Sequence, residues 1–376
     1  MKILILSKPL LCVLYGMLSL CACSAGAGGT TTSNPSNANP NAGAGTGSGP
    51  GTAVGGAGSG FVVSDAGITS GGAKSQYIPE QWPPKSCVSV ITEHPDASTD
   101  LAGIGAYCQG PAITAGSSTV ASTISDSAGC GTVLWGVSRD FLDSSQQRCG
   151  NPVGAPHPDF GPYCCGTPQL GTVLSDLGAD GKPVYNPANV AGNYPQNGKP
   201  GGVGLTGKTE FDQWYRDTAG INLPYLVGFD LVPSGDGKTS IFSSRMYFPL
   251  DGVGYDVTGC SDSNYGHDNK RHNFRFTTEL HTKFKYLGGE VFSFFGDDDV
   301  WVFINKKLAL DMGGVHSRME GTVNLDAKAS ALGLVIGQVY SMDLFQAERF
   351  GSESNFEITT SMTFVDCGIN PTTIVN

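Results

Sequence analysis

Three adjacent carboxylates, Asp297, Asp298 and Asp299, interrupt an apolar stretch in which Phe294, Phe295 and Gly296 precede them and Val300, Trp301, Val302, Phe303, Ile304 and Asn305 follow. Like charges held that close raise one another's pKa values or demand a cation. A hard divalent ion takes about 6 to 8 oxygen ligands, and Asp, Asn and loop carbonyls supply that donor type. Calcium is therefore the natural candidate for this segment, with Asp299 and His316 as supporting groups beside the site. The bland alternative is a solvated turn with acidic side chains, but enclosure by Phe295, Trp301 and Phe303 sets this run apart from an ordinary charged turn.

Other residues could be given chemistry and are weaker candidates. Glu279 with Asp297 could be posed as a glycosidase pair, yet a chain with 33 acidic residues offers such pairs by chance. His267, His272, His281 and His316 lack the paired spacing of a metal helix and read as structural or surface groups. Trp82, Trp214 and Tyr265 could stack on sugar rings, although aromatic residues of a sandwich usually belong to its core. A Gly-x-Ser-x-Gly nucleophile motif, a Walker loop and a dinucleotide fingerprint are all absent.

The elements that position the acidic run read as strands. Phe274, Phe276, Thr278 and Leu280 alternate with Arg275, Thr277, Glu279 and His281, and Phe356, Ile358, Thr360, Met362 and Phe364 repeat the period of two. These predict half-buried strands. Val291 to Phe295 and Val300 to Ile304 are apolar on both faces, as strands covered on both sides would be. One short helix is expected, with Thr209 as N-cap and Asp212 three residues on. Gly 54 and Pro 22 make about a fifth of the 376 residues, which suits a turn-rich all-β protein. The predicted class is an antiparallel β-sandwich or jelly roll with few short helices.

The segment from His272 to His281, then Phe292 to Asn305, Leu310 to His316, Val323 to Asp326 and Asp343 to Phe350, resembles the fibro-slime family. Arg139 to Phe141, His157 to Phe160 and Gly178 to Tyr185 extend the resemblance upstream, so that it covers residues 135 to 366. That family is related to the protective-antigen-like (PA-fourteen) β-sandwich of toxins, glycosidases and yeast adhesins. The resemblance implies that an Asp-Asp pair binds calcium and that the ion contacts sugar hydroxyls; the pair falls on Asp297 and Asp298, with Asn305 as a further ligand. Lys306 stands where the family usually has Gly, so a turn other than the two-residue type I′ hairpin is expected there.

The remaining chain sets context. Lys2 and Lys8 lead an apolar run ending in Leu20, Cys21, Ala22, Cys23, which resembles a bacterial lipoprotein box, with lipid attached to Cys23 after removal of residues 1–22. Residues 23–75 form an uncharged Gly/Ala/Ser/Asn/Pro-rich linker at their start; 37 such residues would reach roughly 30 to 35 Å. Residues 76–134 are expected to form a cysteine-bearing cap, and 135–376 the sandwich. Eight cysteines, Cys87, Cys108, Cys130, Cys149, Cys164, Cys165, Cys260 and Cys367, read as four disulfides in an exported chain. A net charge of −11 without a basic run excludes a phosphate-neutralising surface and hence nucleic acid. The reading is a non-enzymatic, calcium-dependent module at the bacterial cell surface that binds an extracellular glycan, meeting membrane only through its lipid anchor. A structural matrix protein whose calcium merely rigidifies a loop, or a carbohydrate-active enzyme, are the alternatives.

Overall fold

The computed structural model of the chain describes residues 87–89, 103–113, 133–144, 154–161, 167–188, 204–256, 265–266 and 268–368. The chain divides into two units, Met1–Thr69 and Ser70–Asn376, and every described residue lies in the second. The signal segment, Cys23, the linker and Trp82 lie outside the described residues.

Two antiparallel sheets face one another, as the period-two pattern predicts. The larger has the order β1 (Cys87–Ser89), β2 (Ala106–Ala112), β4 (Asn222–Asp230), β3 (Val133–Phe141), β7 (Phe276–Lys285), β12 (Val339–Glu348), β9 (Asp299–Ile304), β10 (Lys307–Met312), with β14 (Thr363–Asp366) also paired to β7. The smaller runs β11 (Met319–Asn324), β8 (Val291–Gly296), β13 (Phe356–Thr360), β6 (Ser240–Ser244), β5 (Val232–Pro233). Between them lies a core that includes Phe229, Phe276, Leu280, Val300, Val302 and Leu344 from one sheet and Phe242, Phe292, Phe294, Phe356 and Ile358 from the other. Each such side chain, fully buried, contributes about 1.5–3 kcal/mol of transfer free energy.

A third layer covers the opposite face of the larger sheet. Trp301 and Phe303 of β9 and Phe345 of β12 pack there against Phe141 at the end of β3 and against Phe160, Tyr185, Phe211, Trp214 and Tyr215, which come from connecting segments and from α1 (Lys208–Phe211). This layer explains why β9 is apolar at every position: Val300, Val302 and Ile304 fill the sandwich while Trp301 and Phe303 fill the outer cluster. It also changes the expectation for β7, whose first half is buried on both faces rather than one. In β8, by contrast, burial alternates, and Phe295 on the outer side lies beneath the Arg318 guanidinium at 4.8 Å. That strand is half-buried, although its sequence reads as apolar throughout. Helix α1 is capped by Gly207 and not by Thr209, which lies inside its single turn.

No boundary falls at residue 134, because β1 and β2 are strands of the larger sheet, with Ala106 opposite Asp230 in β4. The expected cap is thus the edge of the sandwich itself. Cys108 and Cys367 each take part in a disulfide. Cys87 lies opposite Cys108 in the β1–β2 register; Cys130, Cys149, Cys164, Cys165 and Cys260 lie outside the described residues. A second helix, α2 (Leu325–Leu332), is capped by the Asn324 side chain, which accepts from Ala327 N, and ends on Gly333 at φ 69.

The outer layer supplies a test. Trp301→Ala removes a fully buried ring and should destabilise the protein by about 3–5 kcal/mol, whereas Phe295→Ala, on the solvent side of β8, should cost about 1 kcal/mol, much of it the Arg318 contact. Urea denaturation of both variants reads the difference; equal small losses would mean that the outer face of β9 is not packed.

Candidate functional site

The acidic run sits where the chain changes sheets. Strand β8 belongs to the smaller sheet and β9 to the larger, so Asp297 and Asp298 span the gap of about 10 Å between sheets. The corner is tight, and Asp298 has φ 51, a left-handed conformation that Asp tolerates better than most residues. Two further crossings run beside it: 313–318 from β10 to β11, and 349–355 from β12 to β13.

Each carboxylate of the run ties its own corner to a neighbour. Asp297 accepts from Asn355 N at 2.7 Å and from Asn355 Nδ2 at 2.7 Å. Asp298 Oδ2 accepts from Arg349 N at 2.8 Å and Phe350 N at 2.9 Å. Asp299 takes Gly314 N at 2.5 Å on one oxygen and Arg349 Nε at 2.6 Å on the other. Gly314 lies at φ 99, with Gln169 packed against the face where a side chain would sit, so a glycine is required at that bend. Asp297 and Asp298 also form the floor of an open cavity of about 170 Å³, walled by Val315, His316, Ser317, Phe350 and Glu353.

The electrostatics separate the three acids. Asp299 is committed to Arg349, a fully buried guanidinium that also donates to Gly204 O at 2.8 Å and lies 4.9 Å over the Trp214 ring. Burial, with Asp298 beside it, pushes the Asp297 carboxyl up to about 7. Burial likewise raises Asp298, to about 6, with Arg349 opposing the shift. Behind them Glu348 is fully buried and neither of its oxygens has a hydrogen bond of ordinary geometry; the neighbouring Ser354 hydroxyl donates to Tyr247 O at 2.6 Å. Burial, then Asp298 and Asp297, push its carboxyl well above the usual carboxylate range. Three carboxyl groups are thus held close in a place that disfavours their charges, which is the condition a cation relieves.

The structure brings together only part of the expected ligand set. Asn305 lies at the other end of β9, roughly 20 Å of extended chain from the acid pair, where its Nδ2 donates to Leu332 O at 2.8 Å. It is not a ligand there. Asn305 and Lys306 have φ 51 and 65 and join Ile304 to its partner Lys307, so the turn keeps both left-handed positions of a two-residue type I′ hairpin despite the lysine. Asp299 is occupied by Arg349, and both His316 ring nitrogens face main-chain carbonyls, Ser317 O at 2.9 Å and Met312 O at 3.0 Å, so neither residue supports a metal. Glu279 is held well below the usual carboxylate range by Arg139 and Lys182, which outweigh its burial, and cannot be the raised-pKa acid of a glycosidase pair. Trp214 is fully buried and cannot stack on a sugar; Tyr265 is exposed, and His267 lies outside the described residues.

Among the described residues no three His, Cys, Asp or Glu side chains already converge as a metal cage. Apart from His316, whose ring nitrogens face main-chain carbonyls, the cavity offers the carboxylates of Asp297, Asp298 and Glu353, oxygen donors of the type a hard cation takes. Glu348, Asn355 and Glu353 carry part of this site and were not singled out by spacing. The signal available was a Glu-Arg pair closing an apolar strand, Glu348 and Arg349, where two charges would otherwise be costly to bury.

Residues 254–376 match the PA14 domain family model. The chain is 38% identical over 198 residues to protein psiD of Dictyostelium discoideum, covering 52% of this chain and 36% of that one. It is 36% identical over 222 residues to psiR of the same organism, covering 57% of this chain and 21% of that one. The chain therefore spans between about a fifth and about a third of the length of these relatives. Among solved structures it is similar to a PA14 sugar-binding domain from an RTX adhesin, at 10% identity and a TM-score of 0.26 over 64% of this chain and all of that one. It is also similar to the PA14 domain of the MpAFP antifreeze protein, at 12% identity and a TM-score of 0.21 over 36% of this chain and 76% of that one. The family match begins at residue 254, yet the two sheets also recruit β1 to β6 from upstream, so the sandwich is larger than the matched segment.

Proposed function

We propose that this protein is a non-catalytic carbohydrate-binding or adhesion module acting outside the cell, and that calcium held by Asp297 and Asp298 completes its ligand site. The observation that carries the reading is the raised acid pair on the floor of an open cavity. Two carboxyl groups pushed toward neutrality on the lining of an open cavity are poised to exchange a proton for a cation; each Asp297 oxygen accepts one hydrogen bond from Asn355 and so keeps a lone pair, while Asp298 Oδ2 is taken by two main-chain N–H groups. Glu353, on the cavity wall, adds a third carboxylate within electrostatic reach of Asp297. Bound there, calcium would supply open coordination positions for ligand hydroxyls. The protein's own part is to hold the pair rigid through Asn355, Arg349 and Phe350 and to shape the cavity.

The cell-surface placement rests on the same reading. No helix among the described residues is long and apolar enough to cross a membrane. Attachment through a lipidated Cys23 belongs to the proposal, and mass spectrometry of the mature N-terminus tests it: a product starting elsewhere, unchanged by Cys23→Ala, would remove it.

The central experiment is a glycan array run with the full chain in calcium and in chelator. Retention that depends on calcium and vanishes in Asp298→Asn supports the module. Calcium stabilisation without glycan retention favours a matrix role instead, and sugar release from a polysaccharide panel would identify an enzyme. Calcium at a hundred times its Kd should stabilise the fold by about 2.7 kcal/mol, visible as a higher melting temperature that chelator reverses. Asp298→Asn should stay folded, since Asn also tolerates the left-handed conformation, and should lose that response.

The pH dependence follows from the same two groups. Their folded values, about 7 and about 6, lie above the ordinary Asp value, so the folded state binds more protons than the unfolded state across that window. In chelator their contribution favours folding below about pH 4 and is lost as pH rises through about 7. Thermal melts of the wild type and Asp297→Asn between those limits read this directly. The wild type should lose stability relative to the variant as pH rises, and calcium should remove the difference; parallel curves would show that Asp297 carries no raised pKa.

A further inference from the structure

A second charged cluster lies under the outer layer, farther along the larger sheet at β7. Glu279 is fully buried and each of its oxygens is engaged: Oε1 accepts from Arg139 Nη1 at 2.8 Å, and Oε2 from Lys182 Nζ at 2.6 Å. His281 Nε2 stands 3.3 Å from the same Oε2, and its Nδ1 is held by Asp343 at 2.8 Å. Arg139 is anchored on its other side by Asp217 at 2.8 Å. The Lys182 side chain is 2% exposed, and Phe345 closes the His281 side at 5.4 Å between ring centroids.

This arrangement contains every group that amide formation needs. An amine sits against a carboxyl group, with Nζ 2.6 Å from Oε2, so that a small shift would bring it to the near-attack separation of about 3–3.5 Å from the carbon. A guanidinium is aimed at the oxygen that would carry negative charge in a tetrahedral intermediate. An imidazole oriented by a carboxylate stands beside the oxygen that would leave. Bulk water, which would favour the reverse reaction, is excluded. A plain buried ion pair is the simpler reading, but it needs neither a second cation on the same carboxylate nor a histidine held over the oxygen that the lysine touches.

We propose that Lys182 and Glu279 condense into an intramolecular isopeptide bond that fastens the outer layer to β7. The proton on Nζ passes along the hydrogen bond to Oε2, leaving a neutral amine beside a neutral carboxylic acid. The nitrogen lone pair attacks Cδ, and the charge that develops on Oε1 is met by Arg139. Protonated His281 gives its Nε2 proton to Oε2 as the Cδ–Oε2 bond breaks and water departs, and the neutral imidazole so formed takes up the proton lost by the attacking nitrogen. One amide bond forms, one water leaves, and nothing is oxidised or reduced. The product keeps its charges paired, since Arg139 retains Asp217 and His281 retains Asp343. Burial lowers the Lys182 pKa, with Glu279 opposing; because Arg139 and Lys182 together hold the Glu279 carboxyl below its ordinary range despite burial, the neutral pair is a minor form reached only transiently, and the condensation is slow.

Peptide mapping of the reduced, denatured full chain tests the proposal. The expected result is a branched peptide that joins the segment around Lys182 to the segment around Glu279 and is one water lighter than its two parts. Finding both segments unbranched, with Lys182 open to reductive methylation after unfolding, would overturn it. So would a water deficit that maps instead to a cyclised Asp-Gly pair such as Asp180-Gly181. Lys182→Met should abolish the branch, and His281→Gln should lower the branched fraction at a fixed time after synthesis by about a hundredfold in rate. An unchanged rate in His281→Gln would overturn the mechanism, and if a variant fails to fold, the wild-type map alone decides whether the bond exists.

Discussion

A segment that leaves one sheet of a sandwich for the other carries its main-chain N–H groups out of both ladders, and at the acidic end of this molecule three such segments cross side by side. Buried N–H groups left without acceptors would each cost about 1–3 kcal/mol. Asp297, Asp298 and Asp299 meet that demand, accepting from Asn355, Arg349, Phe350 and Gly314 across the three crossings. The same hydrogen bonds stabilise the charged carboxylates, but burial and mutual repulsion outweigh them for Asp297 and Asp298. Structure and proposed function thus rest on one feature: acids drawn into the interior to satisfy backbone are also acids in want of a counter-charge.

Arg349 links this end of the sandwich to the outer layer. Its Nε neutralises Asp299, its Nη1 reaches Gly204 and Asp159 carbonyls, and its guanidinium lies over Trp214. A buried ion pair with such contacts is weak evidence for net stability, but removing one partner strands the other charge and is costly. Arg349 therefore serves to fix the positions of the acid corner and the aromatic cover relative to one another. The cluster around Glu279 does the same work farther along the larger sheet, where Arg139, Lys182 and His281 come from separate segments to one carboxylate. Both clusters lie on the outer side of the larger sheet, so the third layer is held by charge as well as by its rings.

The sequence by itself determined the all-β class, the approximate strand positions and the acidic corner, because side-chain period and local charge density are properties of adjacent residues. Val300 to Ile304 is apolar at each position, and the strand is indeed buried on both faces. Tertiary structure decided what neighbours in space supply. Phe295 faces solvent under Arg318 although β8 reads as apolar throughout, and Trp214 is buried although nothing local requires it. Asn305 shares a short sequence stretch with Asp298, yet an extended strand carries it to the opposite end of the sheet, while Asn355, far along the chain, is brought to 2.7 Å from Asp297. Strand geometry separates residues that are close in sequence and sheet pairing joins those that are distant, so a ligand set assembled from three crossings could not be read from any one of them.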